Sequence, residues 1–423
     1  TTEIYTLSLH DALPIYRYSH IIYVFRTFGK SRKAVGKVLI LCYNKGKMTN
    51  FLHGGKGETK MKRDPGVEFM RILACLMVIG IHTALYAQVD GSWIFSRVFF
   101  NCIVADGVAV FFMITGFFLF QSRSYERILK RTWKNLGIPV VLYSIFGFLF
   151  FGWLLDGEKL SVSICFSPEK YKTALKTLLS WNNPVPHSDH LWYIYVYVFL
   201  MLLFPVLKCF VDYLDEDRKR TQIFLIATFG FFVLNDISGN TLGAFAHHSI
   251  NGAFPAAIEM IWGHILYRNR GKFTKKWIPA AGMGFLFVNM IRAVIQRWQY
   301  RIDGQPSCVI FWFSAMGLFC AVCVACFCLA LFQGEKKESR GKRMICQIAS
   351  CTFMIYLLHM AVRDFLSHMG YQDWLNAVIL GRLPGKAGMV LYMMAIMGSI
   401  FGISLLLSVL LGIPGRLIKN IRK

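Results

Sequence analysis

Apolar segments of about 20 residues alternate with short polar connectors along most of the chain. A helix rises 1.5 Å per residue, so about 20 apolar residues cross the roughly 30 Å hydrocarbon core of a bilayer. We therefore expect an all-α fold, a polytopic integral membrane protein with about ten transmembrane helices. The predicted spans are residues 67–87, 98–120, 136–155, 190–207, 222–240, 250–267, 277–296, 308–332, 344–364 and 388–411.

The composition agrees with this pattern. Hydrophobic residues make up 55% of the chain and charged residues only 17%, with a mean hydropathy of +0.47. Soluble domains carry about 25% charged residues, so an ordinary soluble enzyme, a disordered chain and a collagen-like fibre are excluded. The 12 cysteines lie mostly inside apolar segments, so no disulfide framework is predicted.

The distribution of positive charge predicts how the chain is oriented in the membrane. The net charge is +24, from 47 Lys and Arg against 23 Asp and Glu. One alternate set of connectors, together with the C-terminal tail, holds 23 of the cations. The other set holds 9, or 11 when Arg292 and Arg363 at the predicted outer helix ends are added. By the positive-inside rule, both termini are expected in the cytoplasm, with the protein in the plasma membrane. Because topology accounts for the cations, no nucleic-acid partner is predicted.

Residues 1–60 differ from the rest of the chain. They begin without Met, are rich in basic and aromatic residues, and contain no apolar run long enough to span a bilayer. We expect residues 1–60 to be a non-native or disordered extension and residues 61–423 to form the membrane domain. The natural start is predicted at Met48 or Met61.

Ionisable residues inside predicted spans are costly and therefore candidates for function. Arg71 and His82 are eleven residues apart, about three helical turns, so they share a helix face and lie about 16 Å apart along the axis. Glu68 lies on the same face, three residues before Arg71, and can pair with it. Two interpretations remain open: a functional stripe, or an Arg71 that reaches the headgroups and a His82 that only packs.

Five motifs follow one another along the chain: Arg71 with His82 after ten residues, Val108–Phe117, Arg127–Pro139, His190–Tyr193 before a span that ends at Pro205, and Ser350–His359. In this order they resemble the acyltransferase-3 family of integral-membrane O-acyltransferases, and the resemblance covers roughly residues 64–412. The last two motifs are similar to the family's surface-polysaccharide O-acetyltransferase branch. One position departs from the family, because Ala109 stands where many members have Asp.

The resemblance implies transfer of an acetyl or larger acyl group from acetyl-CoA, used as a co-substrate, to a hydroxyl of a cell-surface glycan or its lipid-linked precursor. His82 would be the general base, with Arg71 and Glu68 beside it in the catalytic set. A cationic strip on the cytoplasmic side would bind the donor phosphates, although topology alone also explains it: Arg123, Arg127, Lys130, Arg131 and Lys134.

The acceptor would meet His190, Trp192, Tyr193 and His359. For Trp192 and Tyr193 the alternative is simple anchoring at the membrane interface. His359 and Arg363, four residues apart, either complete the cavity or bond only to each other. No metal site is predicted, since the cysteines from Cys320 to Cys328 lie in an uninterrupted apolar segment with the wrong spacing for an iron–sulfur cluster.

A second class of function stays open. Buried Arg and His residues on one stripe also suit a proton-coupled small-molecule transporter. A related alternative is an amino-acid uptake domain similar to the membrane half of membrane-bound serine racemases. The sequence does not identify the acceptor sugar, the hydroxyl that is modified or the oligomeric state.

Overall fold

The structure is a computed structural model that describes residues 63–83, 88–89, 92–93, 95–122, 124–155, 157, 168–179, 183–241, 252–303, 314–334, 339–383 and 385–421. The predicted extension at residues 1–60 and the candidate donor-binding residue Arg123 lie outside these ranges. The described residues belong to one unit, Gly57–Lys423.

Sixteen α-helices account for nearly all of the described residues. They are α1 (Pro65–His82), α2 (Phe95–Val104), α3 (Gly107–Leu119), α4 (Tyr125–Thr132), α5 (Ile138–Leu154), α6 (Pro168–Leu179), α7 (Trp192–Leu202), α8 (Phe204–Asp215), α9 (Arg218–Thr241), α10 (Ala253–Arg268), α11 (Trp277–Asp303), α12 (Ala315–Leu331), α13 (Arg340–Ala349), α14 (Thr352–His368), α15 (Tyr371–Leu380) and α16 (Lys386–Ile421). A π-helical turn, Trp133–Gly137, joins α4 to α5, and two-residue strands β1 (Gln88–Val89) and β2 (Ser92–Trp93) pair antiparallel.

Every apolar segment predicted from the sequence overlaps at least one helix, which confirms an all-helical protein. Among the described residues, five stretches are long and apolar enough to cross a membrane: α1, Phe95–Leu119, Tyr125–Leu154, Trp277–Trp298 and Lys386–Gly412. Two bent helix pairs raise the number to seven. The protein is therefore a multi-pass membrane protein with five to seven candidate spans by these criteria, fewer than the ten expected.

Two segments predicted as single spans are broken in the structure. The segment at 190–207 divides into α7 and α8, which are bent by 70°, and the segment at 344–364 divides into α13 and α14, bent by 58°. Pro205 stands in the first turn of α8, where a missing N–H costs nothing but the preceding helix cannot continue. Three further helices, α4, α6 and α15, lie in connectors for which no structure was predicted.

Helix α1 lies at the centre of the bundle. It packs against α2, α3, α12, α13, α14 and α16. Its residues enter three different apolar clusters, with Met70 in one, Ile79 in a second and Val78 in a third. Polar side chains on this helix are therefore positioned by packing on several sides at once.

Two glycines allow α3 and α10 to pack backbone against backbone. A Cβ on Gly116 would lie 1.8 Å from the main-chain oxygen of Met260, and a Cβ on Gly263 would lie 2.2 Å from that of Met113. Small residues permit such close approach between helices in membranes. This contact fixes α10 against α3, which itself packs against α1.

We expect Gly116→Ala to destabilise the protein, because the added methyl group must displace a helix backbone. Overpacking of this kind costs about 1–3 kcal/mol, which should lower the melting temperature in detergent by several degrees. Gly282→Ala in α11 is the matched control, since its Cβ would enter open space. Equal melting temperatures for the two variants would contradict the close contact.

Arg292 forms a buried ion pair inside the bundle. Arg292 was predicted at the outer end of a span, but α11 continues to Asp303 and leaves Arg292 inside the bundle. Its side chain is fully buried, and Nη1 lies 2.7 Å from Oδ2 of Asp106, the residue that precedes α3. Breaking a buried pair of this kind typically costs about 3–5 kcal/mol, because the remaining charge is left without its counterion.

Candidate active site

Three histidines that are distant in sequence meet at one end of α1. The ring centroid of His82 lies 5.2 Å from that of His359 and 6.2 Å from that of His190. The rings of His190 and His359 are 4.9 Å apart. The structure therefore brings together three of the residues singled out in the sequence, from α1, the turn before α7, and α14. We call these residues the histidine cluster.

The three rings differ in exposure and in their hydrogen bonds. His190 and His359 are buried, each 1% exposed, whereas His82 is partly exposed. Nδ1 of His359 lies 2.6 Å from the main-chain oxygen of Tyr356, which can only accept, so Nδ1 carries the proton. Nε2 of His359 then holds a lone pair, and it has no hydrogen-bond partner among the described residues.

The end of α1 is fastened to α14. His82 is the last residue of α1, and its main-chain oxygen accepts a hydrogen bond of 3.1 Å from Nη1 of Arg363. Arg363 also forms an ion pair with Asp364, whose Oδ1 lies 2.6 Å from Nη2. Arg363 was expected to complete the cavity or to bond to His359. In the structure it holds the backbone of His82 beside the cluster.

His190 is held from two directions. Its main-chain oxygen accepts a hydrogen bond from the hydroxyl of Tyr356. On the other side, the hydroxyls of Tyr143 and Ser188 lie 3.2 Å apart, and the Tyr143 ring centroid is 5.9 Å from that of His190. Tyr143 on α5 and Tyr356 on α14 therefore fix the turn that carries His190.

The other end of the stripe on α1 is an arginine–glutamate cluster. The buried carboxylate of Glu68 accepts from Nη1 of Arg71 at 2.9 Å, which confirms the expected pair. Arg63 also binds Glu68, with Nε 2.9 Å from Oε1 and Nη2 3.0 Å from Oε2. Arg71 keeps 26% of its side chain exposed, so its fork has room for a further anionic partner.

Aromatic side chains pack beside the histidine cluster. The ring of Tyr193 is 4.7 Å from Phe112 and 5.7 Å from Tyr356, which in turn touches His190. Tyr193 is therefore inside the bundle, one aromatic contact away from the histidine cluster.

The cationic strip lies on α4 and the π-helical turn. Ser124 caps α4, its Oγ accepting from the backbone N–H of Arg127 at 3.3 Å. Lys130 pairs with Glu126 at 2.7 Å on an exposed surface, while Arg131 and Lys134 are also exposed. The hydroxyl of Tyr125, at the start of α4, donates to the main-chain oxygen of Leu202 at the end of α7. His190 precedes the opposite end of α7, so the start of α4 lies away from the histidine cluster.

Several residues of the site were not singled out from the sequence. Tyr143, Ser188 and Arg63 gave no signal, because each acts through a contact with a residue distant in sequence. Trp192, expected beside the acceptor, is partly buried at the start of α7.

The comparison with known families agrees with this arrangement. Residues 64–409 match the family model of an acyltransferase domain, acyltransferase 3. No curated protein and no solved structure matches the chain. The matched range begins at the N-cap of α1 and ends within α16, so it contains the histidine cluster and the Arg71–Glu68 pair. The chain therefore belongs to the acyltransferase-3 family of membrane acyltransferases.

Proposed function

We propose that the protein transfers an acetyl group from cytoplasmic acetyl-CoA to a hydroxyl of a cell-surface glycan or its lipid-linked precursor, as in the surface-polysaccharide branch of the family. The observation that supports this most strongly is the histidine cluster at one end of α1, with Arg71 at the other end. An acyl transferase needs a base beside the reacting hydroxyl and a cation for the donor phosphates. The two ends of α1 supply these groups.

The histidine cluster provides the proton chemistry. The acceptor hydroxyl gives its proton to His82 while its oxygen attacks the thioester carbonyl carbon, and the carbon–sulfur bond then breaks. The departing sulfur takes the proton back from the imidazolium, so the ring ends neutral. We assign the base to His82 because it is the one residue of the three that is partly exposed. His190 and His359 pack against it and fix its position.

Arg71 and the cationic strip hold the donor. The thioester of acetyl-CoA is the activated group. The phosphates lie at the other end of the same long molecule, so the cations that bind them must be far from the reacting carbon. Arg71 lies about 16 Å along the helix axis from His82. Phosphates at Arg71, Arg127 and Arg131 would therefore allow the thioester to extend through the bundle toward His82.

The proposed topology has ten spans with both termini in the cytoplasm of a plasma-membrane protein. Adding α9, α10 and α12 to the seven candidate spans brings the number to ten. The histidine cluster then faces the outer half of the membrane and Arg71 the inner half. This orientation suits a donor made inside the cell and an acceptor exported to its surface.

The test uses the purified full chain in detergent with acetyl-CoA labelled in the acetyl group and a crude envelope-glycan mixture. We expect label in the glycan fraction, released by mild alkali as an ester would be, and none when glycan is omitted. The same protein in vesicles tests the transporter alternative. Movement of a solute without any labelled glycan would reject the proposed reaction.

A double substitution separates donor binding from topology. Arg127→Ala with Arg131→Ala should raise the KM for acetyl-CoA by about tenfold, with a smaller change at saturating donor, because ground-state contacts to phosphate are lost. Lys130 and Lys134 remain in the connector, so the orientation should persist. Lys275→Ala with Lys276→Ala is the control, as it removes two cations from another connector expected in the cytoplasm. Equal KM values for acetyl-CoA in the two double variants would show that Arg127 and Arg131 do not bind the donor and serve only to orient the chain in the membrane.

A further inference from the structure

We propose that a pocket between α5, α6 and the turn before α7 is the subsite that binds the acceptor saccharide, and that it selects neutral or amino sugars over acidic ones. This inference rests on the proposed function. The pocket has a volume of about 280 Å³ and is lined by Phe148, Gly152, Glu169, Thr173, Thr177 and the prolines of the turn.

The lining has the chemistry that sugar rings require. Glu169, Thr173 and Thr177 are spaced four residues apart on α6, so they form one stripe facing the pocket. The hydroxyl of Thr177 donates to the main-chain oxygen of Thr173 at 2.9 Å, which leaves its own lone pairs directed outward as acceptors. Phe148 supplies a flat apolar face on which a sugar ring can stack. Pockets that bind small ligands combine a few polar groups with apolar walls in this way.

The pocket and the histidine cluster share two structural elements. On α5, Tyr143 touches the ring of His190, while Phe148 and Gly152 lie about 7.5 Å and about 13.5 Å farther along the same helix. On the turn, Pro184 and Pro186 line the pocket, and Ser188 bonds to Tyr143. A saccharide chain seated in the pocket could therefore extend its next sugar residues along α5 and the turn toward the histidine cluster.

The turn that separates the pocket from the cluster is held in a fixed conformation. Nδ2 of Asn183 donates to the main-chain oxygens of Val185 and Ser188, at 3.1 Å and 2.8 Å. The side chain of Val185 packs against Gly147, where an added Cβ would lie 2.7 Å from Cγ1 of Val185. His187 has φ of +52°, a left-handed conformation that is unfavourable for a residue with a side chain. Strain of this kind is retained where the surroundings fix the backbone, and it concentrates at functional sites.

The charge of the pocket indicates which saccharides it accepts. Glu169 is the one ionisable side chain in the described lining. A carboxylate accepts hydrogen bonds from sugar hydroxyls and pairs with an amino group, but it repels the carboxylate of an acidic sugar. We therefore expect an amino sugar to bind best, a neutral sugar next and an acidic sugar least.

The experiment measures binding and transfer on the full chain in detergent. The probes are the methyl glycosides of glucosamine, glucose and glucuronic acid, and binding is followed by saturation-transfer NMR. Thr173→Val with Thr177→Val should weaken binding of the neutral probe about tenfold and raise the KM for the glycan acceptor by a similar factor. The KM for acetyl-CoA should not change. Lys172→Ala, on α6 but outside the pocket, is the control.

A charge reversal gives a result that a folding defect cannot imitate. Glu169→Lys should invert the order of binding, so that the glucuronic acid probe binds better than the glucosamine probe. An inverted preference supports the subsite. Sugar binding in a protein that transfers no acetyl group also supports the subsite, but it rejects the proposed reaction. Transfer to glycan with unchanged acceptor KM and unchanged probe preference in both pocket variants would overturn the assignment.

Discussion

Replacing His82 with alanine should lower the initial rate of acetyl transfer by about 10²- to 10⁴-fold, the range observed when a general base is lost. One feature of the site leads to this expectation. His82 is partly exposed, whereas His190 and His359 are buried, so a substrate can reach His82 first. The measurement is the rate of label transfer at saturating donor and acceptor, normalised to folded protein.

The substitution should leave the fold intact. The contact that fastens the end of α1 to α14 uses the main-chain oxygen of His82, which alanine retains, and Arg363 continues to donate to it. His368→Ala is the matched control, because His368 is exposed at the end of α14 and takes no part in the cluster. A rate for His82→Ala within a few-fold of the parent would remove His82 from the mechanism.

The local part of the site could be predicted from the sequence. The spacing of Glu68, Arg71 and His82 fixes them on one face of a helix, whatever surrounds that helix. The ion pair between Glu68 and Arg71 follows from the same spacing. The spacing could not predict the role of Arg63. This residue lies before α1, and its side chain binds Glu68 in the first turn of the helix.

The meeting of the three histidines could not be predicted from spacing, because it depends on packing between distant segments. His190 and His359 approach His82 since Val78, Leu191 and Leu357 share one apolar cluster, which sets the register of α1, α7 and α14. The family motifs identified these histidines as candidates, but not as neighbours. Tyr143 entered the site through the same cluster.

Helix boundaries were the weakest part of the prediction, for reasons that can be named. Pro205 indicated the end of a span, yet in the structure it begins a new helix after a sharp bend. Arg292 was assigned to an outer helix end, yet it lies inside the bundle. Asp106 neutralises it, so the helix continues through the bundle without exposing the charge. A long-range ion pair of this kind leaves no local pattern.

Replacing Arg71 with lysine should reduce kcat/KM for acetyl-CoA by about 10- to 100-fold, nearly as much as replacing it with alanine. Lysine keeps the positive charge but loses the planar fork that can bind Glu68 and a phosphate at the same time. Loss of one charge-assisted hydrogen bond accounts for a change of this size. The measurement is the initial rate against donor concentration for both variants, with His82 unchanged.

The surroundings of Glu68 make this substitution informative. Arg63 binds both oxygens of Glu68, so the buried carboxylate keeps a partner when Arg71 is changed. Arg63→Lys is therefore the control: it disturbs the same carboxylate and should lower thermal stability, but it should leave the KM for acetyl-CoA unchanged. In a proton-coupled transporter, by contrast, a retained charge at the depth of Arg71 should preserve most of the function. Near-normal rates for Arg71→Lys would show that charge alone suffices, and the donor-binding role of the Arg71 fork would have to be abandoned.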